Sequence, residues 1–352
     1  MNKLFSKKNF IIAAMCMSVM WMVPGCGSKD NSSDSSTADK SNKESVQTDE
    51  NATEDVTIKV GGLLGPTSMG LVKLMEDSAN GECANTYEFA DMATDPSAFV
   101  APLAKGEIDI AALPSNLASV IYNNTDGKVQ VIAVNTLCVL DIVERGDSIS
   151  SVADLKGKTL YATGQGATPE YTLRYLLGKN AVDPDKDVTI KWCADTTEAL
   201  SYVTNDENAI AMLPQPFVTV AMSKVEGLRI ALDLNEEWNK VNSDCSQVTG
   251  VLVVRKEFAE KYPANLAKFM EEYEASVKYL DEKPEEGAGL IEKYGIVGAA
   301  VATKALDYCH IVCLTGDDMK NALSGFLNVL YEANPQSVGG KLPGDDFYYI
   351  GE

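Results

Sequence analysis

Residues suited to catalysis are scarce in this sequence and poorly grouped. Its only histidine, His310, lies between Cys309 and Cys313, a pattern that suggests metal ligands. One imidazole and two thiols do not complete the four ligands of a tetrahedral zinc site, so we predict a structural role for all three residues. Adjacent acidic residues, such as Asp317 and Asp318, are typical of solvated loops or helix starts rather than of paired catalytic carboxylates.

The nucleotide-binding motifs are incomplete as well. The run Gly-Lys-Thr that ends at Thr159 matches the end of a phosphate-binding loop, but Val152 stands where that motif requires its first glycine. Gly164 and Gly166 lack the third glycine of a dinucleotide-binding turn. We therefore predict a protein that is not an enzyme and that uses no cofactor and no metal.

Polar residues are instead concentrated in loops that follow hydrophobic strands. The chain contains this arrangement twice, from Ile110 to Ser115 and from Ile210 to Gln215, and each copy is an apolar strand, a proline and a polar residue. Loops at the carboxyl ends of strands line the ligand crevice of an open α/β sheet. Helices that begin there point unpaired N–H groups toward the crevice, where they suit an acceptor oxygen.

We predict a binding cleft formed by such loops from both halves of the chain. The candidate ligand-binding residues are Gly65, Thr67, Ser68, Ser115, Asn116, Asn135, Thr136, Gln165, Gly166, Thr168, Gln215 and Phe217. The Ser and Thr members of this set either contact the ligand or cap their own helices. Phe217 and Tyr161 either stack on a flat ring or pack in the core.

Charge limits the possible ligands and partners. The candidate loops contain no Arg or Lys, so a multiply charged anion such as phosphate would find no counter-charge there. A small neutral or singly charged molecule fits better. The chain as a whole has 30 basic and 51 acidic residues and a formal charge of −21, which argues against binding to nucleic acid.

The elements that position these loops alternate between strand and helix. With 352 residues the chain can form about two domains. The alternation predicts an α/β protein with mostly parallel sheets flanked by helices. The longest helix is expected from Lys256 to Leu280, with Phe269, Tyr273 and Val277 on its buried face.

The first 55 residues differ from the rest of the chain. Lysines precede an uncharged apolar run from Phe10 to Val23, as in a secretory signal. The signal ends at Cys26, in a Val-Pro-Gly-Cys sequence that resembles a bacterial lipobox, so we predict residues 1–25 as a signal peptide and Cys26 as the lipidated residue. A plain signal anchor is the alternative. Residues 26–55 are polar and should form a disordered tether that holds the folded part at the extracytoplasmic face of the membrane.

Six further cysteines follow the predicted lipidation site, namely Cys83, Cys138, Cys193, Cys245, Cys309 and Cys313. In an exported protein an even number of cysteines can form disulfides. Their spacing matches no known disulfide framework, so free buried thiols are equally compatible with the sequence.

Five longer segments carry a resemblance to a known family. They are Gly106–Asn116 (GEIDIAALPSN), Ser150–Leu177, Ala209–Met222, Val248–Pro263 and Ser337–Tyr349. In their order and spacing, together with the lipobox and tether, they resemble the lipoprotein substrate-binding proteins of bacterial ABC importers, in the branch that binds nitrate, sulfonates such as taurine, and thiamine precursors. The His- and Cys-rich motif of the related thiamine-pyrimidine synthases is missing from this chain.

The resemblance implies a two-lobed, periplasmic-binding-protein-like fold of type II with two crossing strands as its hinge. Lobe one would comprise 56–136 and 250–352, and lobe two 137–249, with crossings near 135–140 and 248–251. The expected function is that of a monomeric receptor that closes on a small solute and delivers it to a permease with a cytoplasmic ATPase. A sensor module for a signalling receptor, or an enzyme on the same fold, are the alternatives.

Overall fold

The computed structural model describes residues 53–351. The predicted signal peptide, the lipidation site at Cys26 and nearly all of the tether lie outside the described residues. The described part belongs to one compact unit. None of its helices combines the length and the apolar character that crossing a membrane would require.

Strands begin soon after the start of the described region. In chain order they are β1 (Thr57–Gly61), β2 (Thr86–Phe89), β3 (Ile110–Pro114), β4 (Val129–Leu137), β5 (Leu140–Glu144), β6 (Thr159–Ala162), β7 (Thr189–Trp192), β8 (Ile210–Pro214), β9 (Arg229–Asp233), β10 (Val248–Arg255) and β11 (Ile311–Leu314).

Helices occupy most of the connections between these strands. They are α1 (Pro66–Met69), α2 (Val72–Asn80), α3 (Val100–Lys105), α4 (Ser115–Asn124), α5 (Thr168–Lys179), α6 (Thr196–Asn205), α7 (Phe217–Lys224), α8 (Leu234–Val241), α9 (Lys256–Lys261), α10 (Pro263–Glu282), α11 (Pro284–Lys293), α12 (Ala299–Cys309) and α13 (Gly316–Ala333). Short 3₁₀ turns lie at Pro96–Phe99, Val152–Leu155, Pro335–Val338 and Asp345–Phe347.

The strands form two separate sheets, which confirms the α/β fold class. The first sheet has the order β11-β4-β10-β3-β1-β2, and the second sheet has the order β7-β6-β8-β5-β9. The chain leaves the first sheet after β4, continues in the second sheet from β5 to β9, and returns to the first sheet with β10.

The expectation of mostly parallel sheets is wrong. Among the strand pairings of the described residues, β10 runs antiparallel to β3 and β4, β11 runs antiparallel to β4, and β5 runs antiparallel to β8 and β9. Only the pairs β1–β2, β1–β3, β6–β7 and β6–β8 are parallel in this part of the chain. β5 is the first strand after the chain leaves the first sheet, and β10 is the first after it returns. Neither is therefore joined to its neighbours in the sheet by the strand–helix–strand unit that makes parallel pairs.

The longest predicted helix is interrupted. The structure divides the region from Lys256 onward into α9 and α10, with Tyr262 between them in a non-helical conformation at φ −127° and ψ 55°. Pro263 causes this break, because it has no N–H and disfavours the α conformation in the residue before it. The predicted buried face of α10 is confirmed at Phe269 and Tyr273, which have no exposed surface.

Helix α13 links the two sheets in addition to the crossing strands. It packs against α4 beside the first sheet and against α5 beside the second. Phe326 of α13 contacts the ring of Trp238 of α8 edge to face, with ring centroids 5.5 Å apart. Burial of large aromatic surface at this contact stabilises the arrangement of the two sheets.

All six cysteines in the described residues are free thiols, half-buried or buried. Burial raises the pKa of Cys309 and Cys313 to about 12, so both are protonated at neutral pH. Thiols of this kind behave as small apolar side chains.

Candidate ligand-binding cleft

A cavity of about 580 Å³ lies between loops of the two sheets. On the first-sheet side its wall consists of residues 95–97 and of the start of α4, where Pro114, Asn116 and Leu117 border it. These segments follow the carboxyl end of β3 or precede α3, so the first sheet presents its strand ends to the cavity.

The second sheet supplies the opposite wall, and the crossing segments supply the floor. Residues 167–169 at the start of α5 and Pro214 at the end of β8 face the first-sheet loops. Val139 and Leu140 border the cavity where the chain leaves the first sheet. Gln247 and Thr249 border it where the chain returns. The two walls and the two crossing segments therefore surround one space.

Two of the predicted binding residues line this cavity, namely Asn116 and Thr168. They come from α4 and α5, on opposite walls, as expected. Gln165 and Gly166 lie in the exposed loop just before α5, where the Gly166 N–H donates to Glu170. None of the predicted hydroxyls caps its own helix, because α1, α4 and α5 have no side-chain cap. At the start of α5 the N–H groups of Glu170 and Tyr171 donate to the backbone carbonyl of Ala167, and Pro169 has no N–H.

Ser115 is fully buried and does not border the cavity. Its hydroxyl donates to the backbone carbonyl of Val248 over 2.5 Å. This bond ties the start of α4 to the strand that returns from the second sheet.

Gln215 is the corresponding residue of the second sheet and is also buried. Its amide nitrogen donates to the carboxylate of Asp141 over 2.7 Å, and its amide oxygen accepts from the hydroxyl of Thr219 over 2.8 Å. Both polar ends of the side chain are therefore occupied by groups of the protein itself.

A third group of predicted residues lies at the junction of α1 and β4. Asn135 donates to the backbone carbonyl of Thr67 over 2.9 Å, and both residues pack over Gly250. A Cβ atom at Gly250 would lie 2.5 Å from the Asn135 side-chain oxygen, so only glycine fits there. Within the described residues the side-chain oxygens of Ser68, Asn135 and Thr136 are buried and have no hydrogen-bond partner. This group lies outside the lining of the cavity.

The remaining predicted residues lie at the surface or at a helix start. Gly65 precedes α1 with φ 143°, a conformation that favours glycine. Phe217 is 48% exposed at the start of α7 and does not border the cavity. Tyr161 does not border the cavity; it is half-buried, packs against the hydrophobic core of the second sheet and stacks on Tyr202 with ring centroids 3.8 Å apart.

The cavity is poor in charge. Among its lining residues in the described chain there is no Lys, Arg or His, and the one ionisable residue is Asp95. The backbone N–H of Ser97 donates to Asp95 and holds the pKa of this carboxyl below its usual range, so Asp95 is ionised at neutral pH. The remaining lining is apolar, amide or hydroxyl, and a multiply charged anion would meet no counter-charge.

An acid–histidine cluster, formed by Asp141, Asp233 and His310, lies beside the segment between β4 and β5, where the chain leaves the first sheet. Nδ1 of His310 lies 2.6 Å from the carbonyl oxygen of Cys138, and its Nε2 lies 3.5 Å from the carboxylate of Asp233. Asp141 is the direct neighbour of Asp233 across the β5–β9 pair. The cluster therefore connects the end of α12, beside the first sheet, to two strands of the second sheet.

The three members of the cluster have different pKa shifts. Burial, followed by repulsion from Asp233, raises the pKa of Asp141 to about 8. Burial opposes ionisation of the other two groups, but their contact overcomes it, so the pKa of Asp233 is lowered and that of His310 is raised. Below pH 8 the cluster thus holds a protonated Asp141, and the shifts of the other two groups favour an Asp233–His310 ion pair.

Gln247 and Thr249 were missed by the sequence analysis. The sequence predicts the returning crossing near Val248, but the predicted binding residues do not include its polar neighbours. The alternation Gln-Val-Thr at 247–249 was a usable signal, because alternate residues of an extended segment face the same side. With Val248 buried in the core, Gln247 and Thr249 face the cavity.

Two sheets joined by crossing strands, with a cavity between their strand ends, define a solute-binding protein of the periplasmic-binding-protein class. Comparison with known proteins agrees. The family model described as "ABC transporter, phosphonate, periplasmic substrate-binding protein" matches residues 89–308. The chain therefore belongs to this family of periplasmic substrate-binding proteins of ABC importers. No curated protein matches the chain.

Solved structures show the same fold. An ABC transporter protein from Parabacteroides distasonis is 26% identical with a TM-score of 0.70, and the alignment covers 84% of this chain and 99% of that one. The periplasmic aliphatic sulphonate-binding protein SsuA of Escherichia coli is 15% identical with a TM-score of 0.63, over 82% of this chain and 97% of that one. A sulfonate-binding protein of Methylobacillus flagellatus is 14% identical with a TM-score of 0.61, over 83% and 91%.

Proposed function

We propose that this protein captures a small neutral or singly charged solute in the cleft and delivers it to a membrane permease driven by a cytoplasmic ATPase. The observation that carries the proposal is the cavity of about 580 Å³, which is bordered by loops of both sheets and by both crossings. Its volume lies within the usual range for small-molecule sites. Its single ionised lining residue, Asp95, argues against a multiply charged anion.

The proposed lobes are 56–136 with 250–352 as lobe one and 137–249 as lobe two. The division of the strands between two sheets supports these boundaries. Binding would close the lobes by rotation about the crossing segments, where few residues need to change their backbone angles. The ligand stabilises the closed form by the contacts that it makes with both walls at once.

We also propose that the receptor is a monomer that is held at the outer face of the membrane by a lipid on Cys26, with residues 26–55 as its tether. A basic and apolar leader that ends in a lipobox-like Val-Pro-Gly-Cys sequence supports this anchor. We propose no catalytic role, because the cavity lining in the described residues contains no His, Cys or Lys.

Native mass spectrometry of the purified full chain tests the binding function. We expect a small solute to remain bound, and we expect Thr168→Trp, which places an indole in the cleft, to abolish its retention. Thr197→Trp is the matched control, since Thr197 is an exposed residue in the first turn of another helix of the same sheet. Retention of the solute by Thr168→Trp would contradict the proposed site.

A further inference from the structure

Gln247 differs from the other polar residues of the cleft in its burial. Asp95 and Ser97 are exposed and Asn116, Thr168 and Thr249 are half-buried, whereas Gln247 is only 1% exposed and still borders the cavity. It lies on the floor of the cleft, on the segment that leads into β10. A buried amide must find hydrogen-bond partners or it destabilises the folded state.

The protein satisfies this amide only in part. The amide nitrogen of Gln247 lies 3.4 Å from the hydroxyl oxygen of Thr172, and its amide oxygen accepts from the hydroxyl of Thr249 over 3.2 Å. Both distances are longer than is normal for hydrogen bonds between these groups, so both contacts are weak. A glutamine amide has two N–H donors and two acceptor lone pairs, so one of each is left for a ligand. The same holds for the flipped amide, since both threonine hydroxyls can donate or accept.

The walls above Gln247 are mostly apolar. Four prolines border the cavity, two from each side, at positions 96, 114, 169 and 214. Leu117 and Leu140 add further apolar surface. Proline side chains lose little freedom on binding, so they form preorganised apolar surfaces against which a planar apolar group can pack. The cleft therefore combines these apolar surfaces with a donor–acceptor pair at its floor.

We infer that the cleft binds an uncharged planar solute that carries an amide-type edge, an N–H beside a C=O, which pairs with the side chain of Gln247. The inference rests on the proposed function and narrows its ligand class. Two parallel N–H···O bonds would form, as between two primary amides. A carboxylate or a phosphonate presents acceptors only, so one of its oxygens would face the amide oxygen of Gln247.

Four probes of matched shape test this assignment, namely benzamide, benzoate, benzamidine and phenylphosphonate. For the purified full chain, calorimetry should show that benzamide binds at least about tenfold more tightly than the other three, the usual effect of one mismatched buried hydrogen bond. In Gln247→Glu the side chain presents two acceptors, and benzamidine should become the tightest probe. Gln247→Met keeps the length of the side chain and should remove the preference among the four.

The outcomes separate this inference from the function on which it rests. Absence of binding by all four probes, equal or tighter binding of benzoate or phenylphosphonate, or an unchanged order in Gln247→Glu would each overturn the role of Gln247. If Thr168→Trp still abolishes retention of the native solute, the receptor function stands despite that failure. If the native solute is retained by Thr168→Trp, the proposed binding cleft fails, and with it the site on which this inference rests.

Discussion

The ends of β3 and β8 are built alike but are fastened differently. Both strands are buried up to a leucine and end at a half-buried proline that borders the cleft. In both, the next residue is polar and buried. Ser115 after β3 donates to the backbone carbonyl of Val248, whereas Gln215 after β8 donates to the carboxyl of Asp141. Each sheet is thus tied to a different crossing of the chain.

The two hydrogen bonds differ in their acceptors. A backbone carbonyl does not change with pH, whereas Asp141 titrates with a pKa of about 8 and belongs to the acid–histidine cluster. The comparison shows that the first polar residue after these strands fixes the crossings. The cavity is bordered instead by Asn116, the next residue after Ser115, and by Thr168, which follows β6. The two ties should therefore respond differently to mutation and to pH.

The largest expected effect is the pH dependence of stability. Folded Asp141 keeps its proton up to pH 8, whereas the unfolded carboxyl loses it near pH 3.8, so unfolding releases a proton and stability falls as the pH rises between these values. His310 acts in the same direction, because its raised pKa adds stability that is lost at high pH. The lowered pKa of Asp233 adds stability that is lost only in acid.

Thermal unfolding measured at about pH 5 and about pH 8 checks this prediction. We expect Tm of the wild type to fall by on the order of 10 °C over this range. Asp141→Asn keeps an acceptor for Gln215 without an ionisable group and should remove most of the fall. A wild-type Tm that is constant or rises toward pH 8 would show that Asp141 is ionised in the folded protein.

Loss of the hydrogen bond from Gln215 to Asp141, in the second sheet, should have the next largest effect. Gln215→Leu removes the hydrogen-bond partner of two buried groups, the Asp141 carboxyl and the Thr219 hydroxyl, and should lower the free energy of unfolding by about 3 kcal/mol. Chemical denaturation measures this change. Gln165→Leu is the matched control at an exposed position and should change stability by less than about 0.5 kcal/mol. Equal effects of the two substitutions would show that the hydrogen bond from Gln215 to Asp141 does not stabilise the fold.

The hydrogen bond from Ser115 to Val248, in the first sheet, should contribute less to stability. Ser115→Ala removes one uncharged hydrogen bond to the buried carbonyl of Val248, at a cost of about 1–2 kcal/mol that does not depend on pH. Ser223→Ala, at an exposed position of α7, serves as the control. A loss for Ser115→Ala as large as that for Gln215→Leu, or one that varies with pH, would erase the contrast between the two strand ends.

The smallest effect is expected at Phe217. This residue follows Gln215 closely in sequence, but its ring is 48% exposed and lies outside the cleft lining. Phe217→Ala should change stability by less than about 0.5 kcal/mol and leave solute retention unchanged. A loss of retained solute in native mass spectra would extend the cleft beyond its present lining.

Strand and helix patterns were sufficient to predict the α/β class, the repeated strand–proline junctions and the buried face of α10. The mixed sheets were not predictable from these patterns, because strand direction depends on where the chain passes between sheets. The same limit applies to Ser115 and Gln215. A polar residue after a strand has the same local signature whether its partner is a ligand or a distant part of the chain such as Val248 or Asp141.

The central claim is that one solute contacts loops of both sheets and the returning crossing together. Hydrogen exchange of the purified full chain measures this most directly, with the solute released from the protein by denaturation and then added back. When the solute is bound, we expect slower amide hydrogen exchange in four segments at once, namely 95–97, 114–117, 167–169 and 247–249. Slowing confined to the loops of one sheet, or located away from these segments, would contradict it.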